Sequence, residues 1–299
     1  MLQQVKHHLY ERDFAAAFSD PRHLDAYAVR WSASRALAYL GIFAQTLRHL
    51  HVAHGDDAQV GPAIICIGGG AGAEYAALAA LPALYEATLL NSRRVDVHPV
   101  FVDMADWSHV LAALHDGART RIPLSSLERS DFVQRDVLST DDVVSLLPAL
   151  HSGRACLVTL MFTLNELYAS SRARTHALLL AISQAVARGT LLLVVDSPGS
   201  YSTVRLGAAQ TQRQYPMRWL LDHALMTAAP AAMSSSGQPG AAASSPTRCE
   251  ARADARVEPY PVWEKLAEED STWFRLPQGL RYPIELENMR YQMHLYRRL

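Results

Sequence analysis

Cysteine and lysine are scarce in this chain, and each shortage limits the kinds of protein it can be. The 299 residues contain three cysteines, Cys66, Cys156 and Cys249, which are too few and too scattered for a disulfide framework or a paired-cysteine metal site. We therefore expect no bound metal. Only Lys6 and Lys265 are lysines, so arginine supplies almost all of the positive charge. Arginine suits phosphate recognition and base stacking, although its excess can also reflect genome composition.

Excess charge of one sign and long apolar runs are also missing. The formal net charge is -1, from 28 basic and 29 acidic residues, so nucleic-acid binding would need a local patch. The longest strongly apolar runs, near 64–67 and 191–195, have the length of core strands and are too short to span a membrane. The first eight residues lack the apolar core of a secretory signal. We expect an intracellular globular chain that does not associate with a membrane.

The spacing of apolar residues predicts an α/β chain. Residues 24–50 carry apolar side chains three or four apart, which predicts an amphipathic helix, and residues 3–18 predict a shorter helical stretch. Five short apolar strands then alternate with helices, and this alternation favours a mainly parallel sheet with helices on both faces. The strands are expected at Ala63–Ile67, Val97–Val102, Phe132–Val137, Ala155–Phe162 and Thr190–Val195. A terminal hairpin of Trp273–Leu276 and Tyr291–Tyr296 is expected to complete the sheet.

Residues 228–256 interrupt this pattern. Of these 29 residues, 20 are Ala, Ser, Pro or Gly, and the segment shows no apolar periodicity. It cannot bury enough surface to offset its chain entropy, so we predict a disordered insertion. The chain is thereby divided into an N-terminal helical extension (1–58), a Rossmann-like ligand-binding core (59–227), the insertion (228–256) and C-terminal strands that complete the sheet (257–299).

The first predicted strand runs into a glycine-rich loop and then a helix, which is the context of a nucleotide site. Gly68, Gly69, Gly70 and Gly72 allow a tight turn and a close approach of backbone N–H groups to a ligand. The spacing also satisfies the dinucleotide fingerprint, so glycines alone do not separate a nicotinamide cofactor from S-adenosylmethionine. Glu74 opens the next helix, where a carboxylate would repel a pyrophosphate and suit an ammonium and a sulfonium.

Two more acids follow strands at the edge where open sheets bind ligands. Asp103 ends the second strand and is placed to hold a ribose diol. Asp136 ends the third strand and is placed to accept the adenine amino group, with Val137 packed on the ring. A single acid at a strand end is often only a turn or cap residue. Together with Glu74, however, these acids favour S-adenosylmethionine as the cofactor.

The end of the fourth strand is expected to face the transferable methyl group of that cofactor. Phe162 would lie beside the cofactor and stack a flipped base, Asn165 would hydrogen-bond the base edge, and Glu166 would accept a proton. A structural alternative is equally open at this point. In that alternative Thr163 and Glu166 form a capping box at the start of a helix.

The fifth strand and the C-terminal region supply the remaining candidates. Asp196 ends the fifth strand and is a second candidate proton acceptor. Tyr201, in the loop expected after it, would line the substrate pocket. The turn-forming residues around Tyr201 also explain this loop without a role in substrate binding. Arg290 precedes a tyrosine, and such interleaving of arginine with aromatic residues is typical of proteins that bind single-stranded RNA.

Four segments resemble the fungal large-subunit ribosomal RNA uridine-N3 methyltransferases. They are Tyr27–Ser32, Gly68–Glu74, Leu160–Tyr168 and Leu286–Arg298, and the likeness extends over most of the chain except 228–256. The resemblance implies a Rossmann-like class I methyltransferase fold with a seven-stranded sheet, and residence in the nucleus or nucleolus. It also implies which residues bind the cofactor. Asp103 would bind the ribose and Asp136 the adenine, and the methionine end would be bound by Gly68, Gly70, Gly72 and Glu74.

The resemblance implies transfer of a methyl group from S-adenosylmethionine to N3 of a uridine in large-subunit rRNA, and we expect a monomer. The chain departs from an rRNA enzyme in one respect, since it lacks a basic excess. Three alternatives stay open. They are a class I methyltransferase acting on protein or a small molecule, an NAD(P)-dependent oxidoreductase, and a ribosome-assembly factor that has kept the fold and lost the activity.

Overall fold

The computed structural model describes residues 1–50, 62–87, 97–122, 127, 130–139, 156–199, 201–206, 211–226 and 262–299. The sequence also predicts a helix that begins with a capping-box-like run at 139–142, and that helix lies almost entirely outside these ranges. The predicted insertion at 228–256, which contains Cys249, lies wholly outside them. Among the described residues, no helix combines the length and the apolar character that crossing a membrane requires.

Short helices make up the N-terminal part of the chain. Their bounds are Leu2–Tyr10 (α1), Phe14–Ala17 (α2), Pro21–Tyr27 (α3) and Ala33–Thr46 (α4), with a π-helical turn at Ala28–Ser32 and a 3₁₀ turn at Leu47–His49. Asp20 starts α3, because its carboxylate accepts the backbone N–H of Arg22 and Pro21 suits the first helical position. The helical expectation for this region is confirmed, although the single helix expected at 24–50 is interrupted by the π-helical turn.

Seven strands form one sheet in the order β3-β2-β1-β4-β5-β9-β8. Their bounds are Ala63–Ile67 (β1), His98–Asp103 (β2), Asp131–Gln134 (β3), Leu157–Met161 (β4), Leu191–Asp196 (β5), Trp263–Phe274 (β8) and Met289–Arg298 (β9). Strands β1 to β5 pair in parallel, whereas β9 runs antiparallel to both of its neighbours, β5 and β8. This is the topology that the resemblance implies, so the expected class I methyltransferase fold is confirmed.

Helices cover both faces of this sheet. They are Ala73–Ala87 (α5), Ser108–Arg121 (α6), Leu164–Ser170 (α7), Arg172–Ala185 (α8) and Met217–Met226 (α9). Alternate residues of β1 serve two separate cores, as the two-residue period of a strand requires. Ile64 and Cys66 belong to the core that includes α4 and α5, whereas Ile65 and Ile67 belong to the core that includes α8 and α9.

Three expectations about the strands are wrong. The third strand was expected at Phe132–Val137, but β3 ends at Gln134, so Asp136 and Val137 lie in the segment that follows it. The predicted strand Trp273–Leu276 covers only the end of β8, which begins at Trp263 and includes the acids Glu264, Glu268 and Glu269. Charged side chains are typical of an edge strand, and here they obscure the apolar alternation. Tyr201, expected in a loop, instead begins strand β6 (Tyr201–Leu206), which pairs with β7 (Thr211–Pro216) in a separate two-stranded sheet.

Candidate functional site

The glycine loop after β1 is shaped by its protein neighbours. Gly68 and Gly72 have φ values of +75° and +77°, in the left-handed region that favours glycine. A Cβ added to Gly68 would overlap the side chain of Thr163, and one added to Gly70 would overlap Trp107. These glycines are therefore required by close packing inside the protein, whereas the sequence pattern indicated a need for close approach to a ligand.

Asp103 lies beneath this loop at the end of β2. Its carboxylate accepts the backbone N–H of Gly70 at 3.1 Å and that of Ala105 at 3.3 Å. Burial raises the pKa of Asp103 to about 6. A carboxylate offers about four acceptor sites, so this group suits the hydroxyl donors of a ribose.

Glu74, in the first turn of α5, is only 3% exposed. Its Oε1 has no hydrogen-bond partner among the described residues, and burial raises the pKa of the carboxyl to about 8. Leaving a buried polar group unpaired costs about 1–3 kcal/mol, and more for a charged group. A cationic donor from a ligand would remove that cost, so this carboxyl fits the ammonium group of S-adenosylmethionine.

A cleft at the carboxyl edge of the sheet brings most of the predicted cofactor residues together. Its cavity volume of about 260 Å³ exceeds the roughly 150 Å³ of a cavity that holds benzene, so it has room for an organic ligand. Its walls include Gly68, Glu74, Asp103, Asp136, Val137 and Phe162, but not Gly69, Gly70 or Gly72. The Asp136 carboxylate is exposed and accepts the backbone N–H of Leu138 at 2.9 Å, while Val137 is buried.

A second cavity adjoins this cleft, on the side of the fifth strand. The residues that line both are Phe14, Tyr27, Arg35, Phe162 and Glu166. Trp31, Asn165 and Asp196 line only the second cavity. We call the first the cofactor cleft and the second the acceptor cavity. The structure thus brings all of the predicted catalytic residues to the acceptor cavity. Half of the residues that line this cavity come from the N-terminal part of the chain.

Asp196 holds the start of α7 and is thereby largely committed to protein contacts. Its carboxylate accepts the backbone N–H of Asn165 at 3.0 Å, the side-chain amide of Asn165 at 3.2 Å and the backbone N–H of Ser197 at 2.7 Å. Burial raises the pKa of Asp196 to about 6, and these donors limit the rise. Thr163 Oγ1 donates to the Met161 carbonyl and does not cap α7, so the capping-box alternative is wrong. The N-terminus of α7 is capped instead by the Asp196 carboxylate of β5.

Glu166 differs from Asp196 in having no hydrogen-bond partner within the described part of the chain. It projects from the first turn of α7 and lines both cavities. Burial raises the pKa of Glu166 to about 8, while the positive charge of Arg35 opposes that rise. A carboxyl group whose pKa lies near neutrality, next to a cavity, is suited to proton transfer.

Arg35 of α4 lines both cavities and is one of the residues that the sequence pattern missed. Its Nη1 donates to the hydroxyl of Tyr27 at 2.7 Å, and its guanidinium carbon lies 4.6 Å from the centre of the Phe162 ring and 5.5 Å from that of Tyr27. Both rings are within the distance of a cation–π contact. Phe162 itself has a φ of +58°, which is unusual for a residue with a side chain and is most often maintained at functional sites.

The π-helical turn explains why Arg35 was not predicted. In a regular α-helix, residues eight apart lie roughly 80° apart around the axis, so Tyr27 and Arg35 would occupy different faces. The turn at Ala28–Ser32 accommodates an extra residue, as π-type bulges do, and brings the pair close to the same face two turns apart. No local motif in the sequence marks such a turn.

Arg290, a predicted substrate residue, is not among the residues that line either cavity. Arg290 is exposed at the start of β9, where its Nε donates to Ser271 Oγ at 2.8 Å and its guanidinium packs over the ring of Trp273. Tyr201 begins β6, and its side chain lies outside the part of the chain that the structure describes. Within the described residues, no group of three His, Cys, Asp or Glu side chains is arranged to hold a metal ion.

The sheet order and the paired cavities define a class I methyltransferase. The chain belongs to the Methyltransf_34 family, whose model, described as "Putative SAM-dependent methyltransferase", matches residues 1–297. It is 28% identical to the 25S rRNA (uridine(2843)-N(3))-methyltransferase of Saccharomyces cerevisiae, over 99% of this chain and 76% of the yeast protein. The cofactor is therefore S-adenosylmethionine, and the oxidoreductase alternative is wrong.

Solved structures of other methyltransferases show weaker similarity. A SAM-dependent methyltransferase from Methanosarcina mazei is 9% identical with a TM-score of 0.39, over 81% of this chain and 94% of that one. An S-adenosylmethionine-dependent methyltransferase from Clostridium acetobutylicum is 10% identical with a TM-score of 0.39, over 88% of this chain and 91% of that one.

Proposed function

We propose that this methyltransferase modifies N3 of a uridine in large-subunit rRNA. The observation that carries the proposal is the acceptor cavity, where Glu166 stands beside the cofactor cleft among aromatic rings and its carboxyl group has no hydrogen-bond partner among the residues that the structure describes. The name of the yeast relative supports the same substrate. The rings of Phe14, Tyr27 and Trp31 line the cavity and are suited to enclose a single base.

The cofactor cleft would hold S-adenosylmethionine through its acidic groups. Glu74 would bind the ammonium group, Asp103 the ribose hydroxyls, and Asp136 with Val137 the adenine. Gly68 would let the loop pass close to the methionine end. When bound, the cofactor supplies an electrophilic methyl group. The acceptor cavity adjoins the cleft at Phe162, so a base held there would lie next to that methyl group.

The target base must leave its pairing partner before it can react, because N3 lies on the pairing edge of uracil. Glu166 would then accept the N3 proton while the N3 electron pair forms a bond to the methyl carbon. The cofactor's sulfur would be the leaving group and would keep the electron pair of the carbon–sulfur bond. Glu166 finally releases the proton to water. Asp196 is less suited to this step, because three donors already hold its carboxylate.

The other predicted roles belong to the same proposal. Phe162 and Asn165 would contact the flipped base, whereas Tyr201 and Arg290 would contact the RNA around it. Action on large-subunit rRNA also supports residence in the nucleus and nucleolus. We further propose that the chain acts as a monomer and keeps the four-part division at 1–58, 59–227, 228–256 and 257–299.

The proposal is tested with purified protein, isotopically labelled S-adenosylmethionine and deproteinised large-subunit rRNA. Nucleoside digestion and mass spectrometry should find the label in 3-methyluridine, and matched incubations with protein extract and small-molecule extract should stay unlabelled. Label in protein, in a small molecule or in another nucleoside would contradict the proposed substrate. Cofactor binding without transfer to any of these would favour the inactive assembly factor.

Replacing Glu166 by Gln tests the proton acceptor. We expect kcat to fall about a hundredfold or more, because general-base catalysis typically contributes a factor of 10² to 10⁴. The Kd for S-adenosylmethionine, measured by calorimetry, should change little. A variant that keeps the wild-type kcat would remove Glu166 from the mechanism.

A further inference from the structure

The wall between the cofactor cleft and the acceptor cavity contains one cation that has no assigned role. Arg35 lines both cavities, and its guanidinium lies over the ring of Phe162. Its electrostatic partners are acidic residues on three separate elements, Glu74 of α5, Glu166 of α7 and Asp196 of β5. One positive charge therefore acts on the acids of both cavities.

The hydrogen-bond capacity of Arg35 is largely unused. A guanidinium carries five N–H donors and cannot accept. Among the described residues, Arg35 makes one hydrogen bond, to the Tyr27 hydroxyl, which fixes one side of the fork. Stacking against Phe162 and Tyr27 restricts the plane of the group without using its other donors. These donors are thus pre-oriented and open to a ligand with oxygen acceptors.

Two ligand groups match these donors. One is the carboxylate of S-adenosylmethionine, although the guanidinium would repel the sulfonium and the ammonium of the same molecule. The other is a base in the acceptor cavity, because uracil presents a carbonyl oxygen on each side of N3, and the cofactor Kd of Arg35→Gln distinguishes the two. When N3 loses its proton, the negative charge spreads onto those oxygens. A positioned donor cation stabilises such a developing charge at low dielectric.

We infer that Arg35 selects the imide edge of uracil by donating to O4, the carbonyl oxygen beside N3 that cytosine lacks, while Glu166 takes the N3 proton. This inference rests on the proposed function and adds a specificity residue to it. Cytosine has an amino group where uracil has O4 and carries no proton at N3, so it offers Arg35 a donor instead of an acceptor. The same contact would therefore favour uridine over cytidine and stabilise the anion that attacks the methyl group.

The test uses Arg35→Gln and a short RNA that contains the target uridine or 5-fluorouridine in its place. Fluorine withdraws electrons and makes N3 more acidic, so proton loss needs less help from the enzyme. We expect Arg35→Gln to lower kcat for uridine about a hundredfold, the range seen when a positioned oxyanion donor is removed. With 5-fluorouridine as the substrate, the kcat of Arg35→Gln should be at least about tenfold higher than with uridine. The control variant Arg119→Gln, at an exposed position late in α6, should match the wild type on both substrates.

Tyr27→Phe provides a second variant that keeps the charge. Removing the hydroxyl that accepts from Arg35 Nη1 should lower kcat less than Arg35→Gln does, with partial rescue by 5-fluorouridine. Melting temperature and cofactor Kd are measured for every variant. The inference is overturned if Arg35→Gln keeps the wild-type kcat, or if it loses activity equally on both substrates as a packing defect would. A wild-type protein that makes no 3-methyluridine would instead refute the proposed function.

Discussion

Four acidic side chains line the two cavities at positions where burial gives them unusual protonation behaviour. The pKa is raised to about 8 for Glu74 and Glu166 and to about 6 for Asp103 and Asp196. At neutral pH the first two are thus mainly protonated when no ligand is present. A cationic cofactor would lower both pKa values on binding, so that Glu74 becomes a partner for the ammonium and Glu166 becomes a base.

Glu74→Gln tests the cofactor side of this arrangement. The variant keeps the size of the side chain but cannot pair its charge with the ammonium, so we expect the Kd for S-adenosylmethionine to rise about tenfold to a hundredfold. Calorimetry measures the change. Glu264→Gln, on the edge strand β8, makes the same substitution at an exposed position and should leave the Kd unchanged. An unchanged Kd in Glu74→Gln would mean that the ammonium binds elsewhere.

The raised pKa values also predict how the stability of the ligand-free protein depends on pH. Glu166 ionises near pH 4.5 when unfolded and near pH 8 when folded, so the folded state binds more protons between these values. The free energy of unfolding should therefore fall as the pH rises from 5 to 8. In Glu166→Gln this fall should be smaller, with a melting temperature a few degrees above the wild type at pH 8. If the free energy of unfolding has the same pH dependence in Glu166→Gln and the wild type, the pKa of Glu166 is not raised in the folded protein.

At the scale of elements, the glycine loop supplies a matched pair of substitutions. Gly68→Ala places a Cβ against Thr163 at a φ of +75°, so we expect a loss of about 1–3 kcal/mol from backbone strain alone and a lower melting temperature. Gly117→Ala lies inside α6 with open space around the new atom, and should stabilise by about 0.5–1 kcal/mol. Equal effects of the two changes would mean that the loop relieves both the backbone strain and the contact with Thr163.

The strands that the sequence predicts best are those buried on both faces. β1 has the predicted bounds, and β5 differs from its predicted bounds by one residue at each end, because a continuous apolar run stopped by glycine or an acid leaves little choice of register. The first part of β8, the strands β6 and β7, and the helix α9 were not predicted. Charged or polar residues in the strands weaken the apolar signal, and their pairing depends on contacts distant in sequence.

The same distinction holds for the candidate site. Asp103, Asp136 and Asp196 were predicted as site residues, together with Glu74, because parallel strands bring their carboxyl ends to one edge, which a sequence can show. The contribution of Arg35 depends on the π-helical turn and on packing between distant segments, which a local pattern does not contain. Asp196 was predicted as a proton acceptor, but its contacts favour a positioning role for α7.

At the scale of the whole molecule, the N-terminal helices are fixed to the far end of the sheet. Tyr282 and Glu287 lie in the connection between β8 and β9. Glu287 pairs with Arg30, and the Tyr282 hydroxyl donates to the Val29 carbonyl at 3.0 Å. Ser32 Oγ donates to the Ala71 carbonyl in the glycine loop at 2.6 Å. The wall of the acceptor cavity thus depends on three distant segments of the chain.

Two linker replacements compare this connection with the predicted insertion. Replacing 230–255 by a short Gly-Ser linker should keep the melting temperature within about 3 °C and retain methyl transfer, because loop length has only a weak effect on stability. Replacing 277–287 by a similar linker removes the contacts of Tyr282 and Glu287, and should lower both. Thermal melts and methylation assays measure the outcome. A large loss in the first replacement would show that 228–256 packs against the core.

The position of β9 has a consequence for how the chain reaches its native state. β9 follows β8 in sequence but lies between β8 and β5, so the edge of β5 stays unpaired until distant residues arrive. All six residues of β5 are buried in the native sheet. While its edge is unpaired, this strand can therefore pair with other partly folded molecules and cause aggregation. Refolding from denaturant should accordingly be slow, and its yield should decline as the protein concentration rises.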